Sequence, residues 1–291
     1  MKPTIGEKIF SIFCHVFLAM AALSCLIPLL NLLSISFSGA SAVTSGKVSL
    51  FPVDPSLESY KILFNISPIL GAFKNSVFFT IVGVTLNIIF SIMAAYPLSR
   101  TYFAGRAFFS KFIVFTMLFS GGILPNFLLM KSLGLIGNYG AIWLVIMIST
   151  YNVLIMKTFF QNIPLELSEA AHVDGCGEFR LLLQIILPLS KALLATMVLF
   201  YTVANWNEFM NTLMFINNPK KYTMTVVVQE MIRNSKMLTD AAYMDPETAK
   251  SMTGDGIQAA GVFVMMVPML TIYPFLQRFF IKGVMLGSIK G

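Results

Sequence analysis

Charge is what this sequence has least of. Asp, Glu, Lys and Arg make up 11% of its 291 residues, against roughly 25% in a soluble domain. With 57% hydrophobic side chains, too little polar surface remains to coat a water-soluble globule. A secreted domain, a cytosolic enzyme and a disordered chain are excluded on that ground. Histidine is almost absent, with His15 and His172 the two present. HExxH, GxSxG and carboxylate pairs within the apolar runs are missing, which leaves an intramembrane enzyme without a catalytic set and a metal without ligands. The three cysteines, Cys14, Cys25 and Cys176, have neither CxxC nor metal-ligand spacing. A phosphate-binding loop is also lacking, because the nearest candidate, SGKVS at Ser45 to Ser49, has Ser41 where GxxxxGK needs glycine. The chain therefore does not hydrolyse ATP itself, and uphill work needs a partner or an ion gradient.

What the sequence does have is long apolar runs. A helix crossing the hydrocarbon core needs about 20 mostly apolar residues, and six stretches meet that length. They run from Ile9 to about Phe37, between Lys74 and Arg100, between Lys111 and Lys131, between Lys131 and Lys157, from near Pro188 to about Phe215, and between Asp255 and Arg278. The third contains Gly121, Gly122 and Pro125, so its helix is kinked or begins late. The first reads as a retained helix and not a signal peptide, being about twice the usual 7–15 residues and followed by five more. The expected fold is all-α, a polytopic membrane protein with six transmembrane helices in one domain over residues 1–291.

Orientation follows from the short loops. SRTYFAGRAFFSK, between the second and third runs, carries Arg100, Arg106 and Lys111 and no acid, whereas the next connection offers only Lys131. This places both termini in the cytoplasm of a cell-membrane protein. The net charge of +7 is scattered between apolar runs, the pattern of a lipid bilayer partner and not of nucleic acid. Two outside segments are long. One, 38–70, holds turn residues and the pattern of a short amphipathic helix at FPVDPSLESYKILF. The other, 216–258, includes Asp240, Asp245, Glu247 and Asp255 and a helix-like TVVVQEMIR, and an excursion of that length is usually functional or folded in its own right.

The cytoplasmic segment 163–188, IPLELSEAAHVDGCGEFRLLLQIILP, is the most informative. Pro164 suits a first helical turn and Glu166 and Glu169 favour its positive end. Ala170 and Ala171 leave room for another surface, Gly175 and Gly177 break the helix, and Phe179 to Leu183 begin a second one. The spacing of Glu169, Ala170, Ala171, Gly175, Ile185, Leu187 and Pro188 resembles the EAA loop of ABC importer permeases. The likeness extends through NSVFFTIVGVTLN, AAYPLSR, FSGGILPNFLLMKSLGL, WNEF and YPFLQRFFIKGVMLGSIKG, which are similar to carbohydrate-uptake, maltose-type permeases, in the branch for polysaccharide-derived oligosaccharides.

That resemblance implies a transport subunit with no catalysis and no cofactor of its own. ATP and Mg²⁺ would be bound by a cytoplasmic ATPase dimer, into which Glu169, Ala170, Ala171, Gly175, Leu187 and Pro188 dock as the coupling loop. It further implies a second homologous permease, an extracytoplasmic solute-binding protein meeting residues 216–258, an oligosaccharide substrate, and a tail with Gly287, Ser288 and Lys290 that reaches towards the ATPase. A sugar offers hydroxyls and apolar C–H faces, so Asn205, Trp206, Asn207 and Glu208, which pair amides and a carboxylate with an aromatic plate, are candidates for the substrate pathway near its outer end. An ion-coupled carrier working alone is the alternative. It would place paired ionisable groups at mid-membrane, whereas Lys191 and Glu208 lie ~25 Å apart along one helix.

Overall fold

The computed structural model describes residues 4–66, 68–233 and 253–288, with the backbone alone for Ile66, Tyr273 and 275–288. Among the described residues the chain is helical, apart from one isolated bridge between Ser38 and Pro55. Contacts divide it into two compact units, Met1–Leu70 with Val227–Val267 and Gly71–Val226 with Pro268–Gly291.

The first unit begins with α1 (Ile5–Ser36). Thr4 and Glu7 form a reciprocal capping box at its start, satisfying two backbone donors that have no partner within the helix. Its side chains stay exposed from Ile5 to Leu30, apart from half-buried Cys14, and it is long and apolar enough to cross a bilayer. Its last turn packs within the unit, where Phe37 lies 4.9 Å from Tyr60 and 6.4 Å from Phe263 between ring centroids. Ser36 shares a 2.8 Å hydrogen bond with the Tyr60 hydroxyl. After α2 (Ala40–Thr44), the expected amphipathic helix is found as α3 (Glu58–Ile66).

The second unit is built around α4 (Ile69–Ser99), whose residues from Gly71 onwards belong to it. Three further runs are broken. α5 (Arg106–Leu118) and α6 (Ile123–Ser132) meet at 114°, α7 (Tyr139–Val145) and α8 (Thr150–Gln161) at 54°, and the short helices of Glu178–Leu189 meet α12 (Lys191–Trp206) at 83°. With three continuous apolar helices, the spans number up to six when each bent pair is counted as one. The third run thus breaks more sharply than a kink. At 13 residues, α5 covers only ~20 Å, short of a ~30 Å hydrocarbon core.

The remaining helices are α9 (Leu165–Val173), α10 (Glu178–Leu181), a π-helical turn at Leu182–Ile186, α11 (Leu187–Leu189), α13 (Met210–Phe215), α14 (Met224–Arg233) and α15 (Gly254–Ser288). α14 matches the helical patch expected in the outer loop, while Asp240, Asp245 and Glu247 lie outside the described residues. One core of the second unit gathers Ala95, Tyr96, Val153, Met156, Phe160, Leu181, Ile186 and Met197, and another gathers Phe79, Met130, Ile142 and Phe215.

Polar contacts run along α4 between these cores. Asn75 Nδ2 donates to the Lys220 and Tyr222 carbonyls, both at 2.9 Å, and Ser76 Oγ accepts from the Met224 amide at 2.7 Å. One helical stretch further on, Asn87 Nδ2 donates to the carbonyls of Ile146 (2.7 Å) and Met147 (2.8 Å), where α7 ends, and Asn87 Oδ1 accepts from Asn205 Nδ2 at 2.7 Å. Ser91 meets the Tyr201 hydroxyl at 2.6 Å. Gly83 is what allows α12 this close, since a Cβ there would collide with the Asn205 carboxamide and lie 3.3 Å from Trp143 Cδ1. Gly83→Ala is expected to destabilise the purified protein by about 1–3 kcal/mol, the usual penalty of overpacking. Gly71→Ala on the same helix, with open space around its Cβ, should be neutral or stabilising by about 0.5–1 kcal/mol. Thermal unfolding of the two variants in detergent checks the contrast.

Candidate functional site

Segment 163–188 folds as the sequence suggests, with differences in detail. Pro164 caps the helix without being its first residue (ψ 131°), and α9 covers Leu165–Val173. The chain turns at Asp174–Gly177, where Gly175 has φ +77° and a Cβ added to it would meet nothing within 4 Å. Its requirement for glycine is therefore backbone strain and not crowding. Gly177 sits at φ −75° in ordinary extended backbone, so only one of the two glycines makes the turn. The second arm is not one helix from Phe179 but α10, the π turn and α11, ending at Ser190 before α12 starts at Lys191.

The residues of the motif divide by exposure. Glu169, Ala170, Gly175 and Pro188 are exposed, Leu187 is half-buried and Ala171 is buried. Ala171 therefore packs the loop against its own chain, while Glu169 and Ala170 face outwards. Two large apolar side chains on the same loop are also bare, Val173 at 88% and Phe179 at 75% exposure. Neither was singled out in the motif, and an apolar run bracketing the Gly175 turn is the signal that could have found them.

A polar cluster joins this loop to the end of α4. Glu178 accepts hydrogen bonds from the Tyr96 hydroxyl at 2.6 Å and the Tyr102 hydroxyl at 2.5 Å, and its Oε1 lies 3.2 Å from His172 Nε2. His172 Nδ1 is 3.0 Å from the Cys176 carbonyl. On the other arm, Arg100 Nη1 donates to Ser168 Oγ at 3.3 Å while its guanidinium carbon sits 4.6 Å over the Tyr96 ring. Arg100 is buried, and its Nε and Nη2 have no hydrogen-bond partner among the described residues. Arg106 Nε donates to the Leu98 carbonyl at 3.1 Å, tying down the short loop that carries Tyr102. Burial disfavours a charged Glu178, but the hydrogen bonds from Tyr102 and Tyr96 and the neighbouring His172 and Arg100 together outweigh it and hold the carboxyl below its ordinary range. Burial and the same carboxylate push the Tyr102 hydroxyl up to about 12. Sequence reading took Arg100 as a marker of orientation only, although Tyr96 and Arg100 stand four apart at the end of one helix, a spacing at which such pairs meet.

The proposed pathway residues separate at the end of α12, with Asn205 and Trp206 in its last turn and Asn207 and Glu208 beyond it. Asn205 is buried and bonded to Asn87 and to the Tyr201 carbonyl. Trp206 is buried edge-on against Phe73, 6.1 Å between centroids. Asn207 is exposed, its Nδ2 turned back on the Val203 carbonyl, and half-buried Glu208 accepts from the Asn211 amide at 3.0 Å. Trp206 also lines a cleft of about 460 Å³ with Thr80, Val84, Thr85, Thr202 and Met269. Of the tail, Gly287 and Ser288 end α15 with only their backbone described, and Lys290 lies outside the described residues.

The family of binding-protein-dependent transport system inner membrane components matches residues 87–286. This chain belongs to that family. It is 38% identical over 98% of its length to the polygalacturonan/rhamnogalacturonan transport system permease protein YtcP of Bacillus subtilis, covering 99% of that protein. It is 29% identical to the arabinooligosaccharides transport system permease protein AraQ of Halalkalibacterium halodurans, over 94% of each chain. Among solved structures it superposes with a TM-score of 0.87 and 29% identity on a chain of a bacterial ABC transporter involved in the import of the acidic polysaccharide alginate, covering 96% of this chain and 99% of that one. The protein is thus a multi-pass cell-membrane permease subunit of an ABC importer, a transport component that works with an ATPase and a solute-binding protein. These relatives set aside the ion-coupled carrier. Consistently, Lys191 begins α12 and Glu208 lies just beyond its end, so the two charges do not pair.

Orientation can be read by thiol labelling in a background without the three native cysteines. A cysteine replacing exposed Lys220 should react with an impermeant reagent in intact cells or spheroplasts. One replacing Val173 should react only in opened membranes stripped of peripheral subunits.

Proposed function

We propose that residues 163–188 are the loop through which ATP hydrolysis drives this permease, with Glu169, Ala170, Gly175, Leu187 and Pro188 at or beside the ATPase contact and Ala171 supporting it from within. The observation that carries this reading is the exposed face of the helix–turn–helix, on which Glu169 and Ala170 stand out beside bare Val173 and Phe179. A carboxylate amid exposed apolar side chains fits a cleft with an apolar floor and a basic rim. The rest of the assembly is a second homologous permease, an ATPase dimer that binds ATP and Mg²⁺ in place of this chain, and an extracytoplasmic binding protein meeting the 216–258 loop. Gly287, Ser288 and Lys290 extend towards the ATPase, and residues 1–291 act as one permease domain. Glu169→Lys should reverse the charge at the contact, and Gly175→Val should strain the turn by roughly 1 kcal/mol or more. Both variants should insert and pair with the second permease, yet lose most ATPase association on co-purification. Unchanged association in both would remove the coupling role.

The substrate we propose is an oligosaccharide released from a plant- or algal-type polysaccharide, supported by the sugars named for the relatives above. Trp206 forms the aromatic wall of its path, with Thr80, Thr85 and Thr202 supplying hydroxyls in the same cleft. Asn205 holds Trp206 in register, and Asn207 and Glu208 offer polar groups at the outer end. Titrating the cognate binding protein with oligogalacturonides, arabino-oligosaccharides and neutral maltodextrins identifies the sugar. With that sugar, Asn207→Ala and Glu208→Gln should each lower uptake about tenfold, the cost of one hydrogen bond to a charged or polar group, without loss of assembly. Normal uptake in both would leave the stretch an interfacial anchor.

A further inference from the structure

The polar cluster at the end of α4 has a specific geometry. It grips the loop twice, once on each side of the Gly175 turn. Arg100 reaches Ser168 on α9, the residue immediately before Glu169. Tyr96 and Tyr102 reach the two oxygens of Glu178, the first residue of α10. His172, on the last turn of α9, lies against that same carboxylate and so ties the two arms to each other across the turn. All three gripping residues come from one place, the last turn of α4 and the loop immediately after it, and that loop is fixed by Arg106 on the Leu98 carbonyl.

We propose that Tyr96, Arg100 and Tyr102 form a clasp that sets the angle between the two arms of the coupling loop, so that the loop meets the ATPase already in its docking shape. The proposal rests on the reading of residues 163–188 as the ATPase-docking loop. A short two-armed loop with a strained left-handed turn has many alternative shapes in isolation. Each shape that cannot dock lowers the apparent affinity for the ATPase by the fraction of molecules it occupies. The hydrogen bonds to Glu178 involve an ionised acceptor, the strong kind, and Arg100 is held between the Tyr96 ring and Ser168 with little freedom to let go. The three residues are positioning residues, since none of them is on the exposed face with Glu169 and Ala170. Tyr96 and Arg100 are buried, and Tyr102, though exposed, has its hydroxyl committed to Glu178.

The experiment uses the assembled permease pair in lipid nanodiscs, with purified ATPase subunits as the titrant. The variants are Tyr102→Phe, Glu178→Gln, their double, and Glu169→Lys and Gly175→Val as the references for the docking face. Tyr102→Phe removes a single hydroxyl from an exposed residue, so it keeps the fold even if Glu178→Gln proves unstable. Tyr102→Phe and Glu178→Gln should each weaken ATPase binding about 5- to 20-fold, a part of the roughly 10- to 150-fold that a hydrogen bond to a charged group contributes. ATP hydrolysis by the Tyr102→Phe complex at saturating ATPase should stay at the wild-type rate. The double variant should lose less than the two single losses combined, because both changes weaken the same contact. If Glu169→Lys weakens binding but the clasp variants do not, or if the two clasp changes add independently, the clasp is overturned and the docking reading stands. If Glu169→Lys and Gly175→Val both bind ATPase normally, the docking reading fails, and the clasp with it.

Discussion

Inside a bilayer no water is available to a backbone amide or carbonyl, so every break in a helix must be repaired by the protein itself. Among the described residues three spans are broken when each bent pair is counted as one, and the second unit is organised around that constraint. Where α7 stops, the Ile146 and Met147 carbonyls lose their helical partners, and both are met by the one carboxamide of Asn87 on α4. α4 can do this because it is continuous over 31 residues and carries polar side chains at Asn75, Ser76, Asn87, Ser91 and Tyr96 along its length. From Ser76 to Arg100 that series runs about 36 Å at ~1.5 Å per residue. One end holds the loop at 219–224, the middle holds α7 and α12, and the far end holds the segment 163–188.

The magnitudes say what such a series is for. Interhelical hydrogen bonds in membranes average about 0.6 kcal/mol and rarely exceed ~1.7. A handful of them therefore contributes only a few kcal/mol, less than the packing around Phe79, Phe160, Met156 and Phe215. Packing between apolar helices in lipid is adaptable, however, because side chains of similar size can slide past one another. A carboxamide that must find two particular carbonyls cannot slide, so the polar contacts fix register where packing fixes cohesion. Gly83 is part of the same arrangement, since the absence of its side chain lets Asn205 approach far enough to bond Asn87.

This also explains which features could be read from the sequence. Long apolar runs are a direct consequence of the solvent, so all six were visible, the fifth in spite of Lys191 and Glu208 within it, as was the turn at Gly175. Of the bends, the one between α5 and α6 was visible as Gly121, Gly122 and Pro125, though not its sharpness, and the other two were not. The break between α7 and α8 depends on Asn87, 59 residues earlier in the chain, and no local pattern reports a repair from so far away. The phase of α12 was hidden for a related reason. A helix apolar on most of its surface has little periodicity to mark its buried face or its end, so Asn205 and Trp206 in the last turn of α12 could not be told from Asn207 and Glu208 beyond it. In the structure the first pair turns inwards and the second does not. Glu178 and Tyr96 were missed because their meaning is relational: each is ordinary until the fold brings them within hydrogen-bonding distance.

Arg100 shows how the same constraint operates at the edge of the membrane. A buried guanidinium with two unpaired nitrogens is expensive, and a Lys or a neutral residue would mark the cytoplasmic side or fill the space at less cost. Arg is suited to this position because its flat cation can lie on the Tyr96 ring while one arm of the fork still reaches Ser168, an arrangement that a compact ammonium cannot make. The Tyr96 ring is in turn oriented by its hydroxyl on Glu178. Its two ends therefore serve opposite arms of the loop, with the face holding the cation and the hydroxyl holding the carboxylate. The positive charge above the ring and the negative charge at its tip favour one another through it, so the ionised state of Glu178 and the seat of Arg100 are mutually supporting. That mutual dependence is what makes the end of α4 a single rigid attachment in place of two independent contacts.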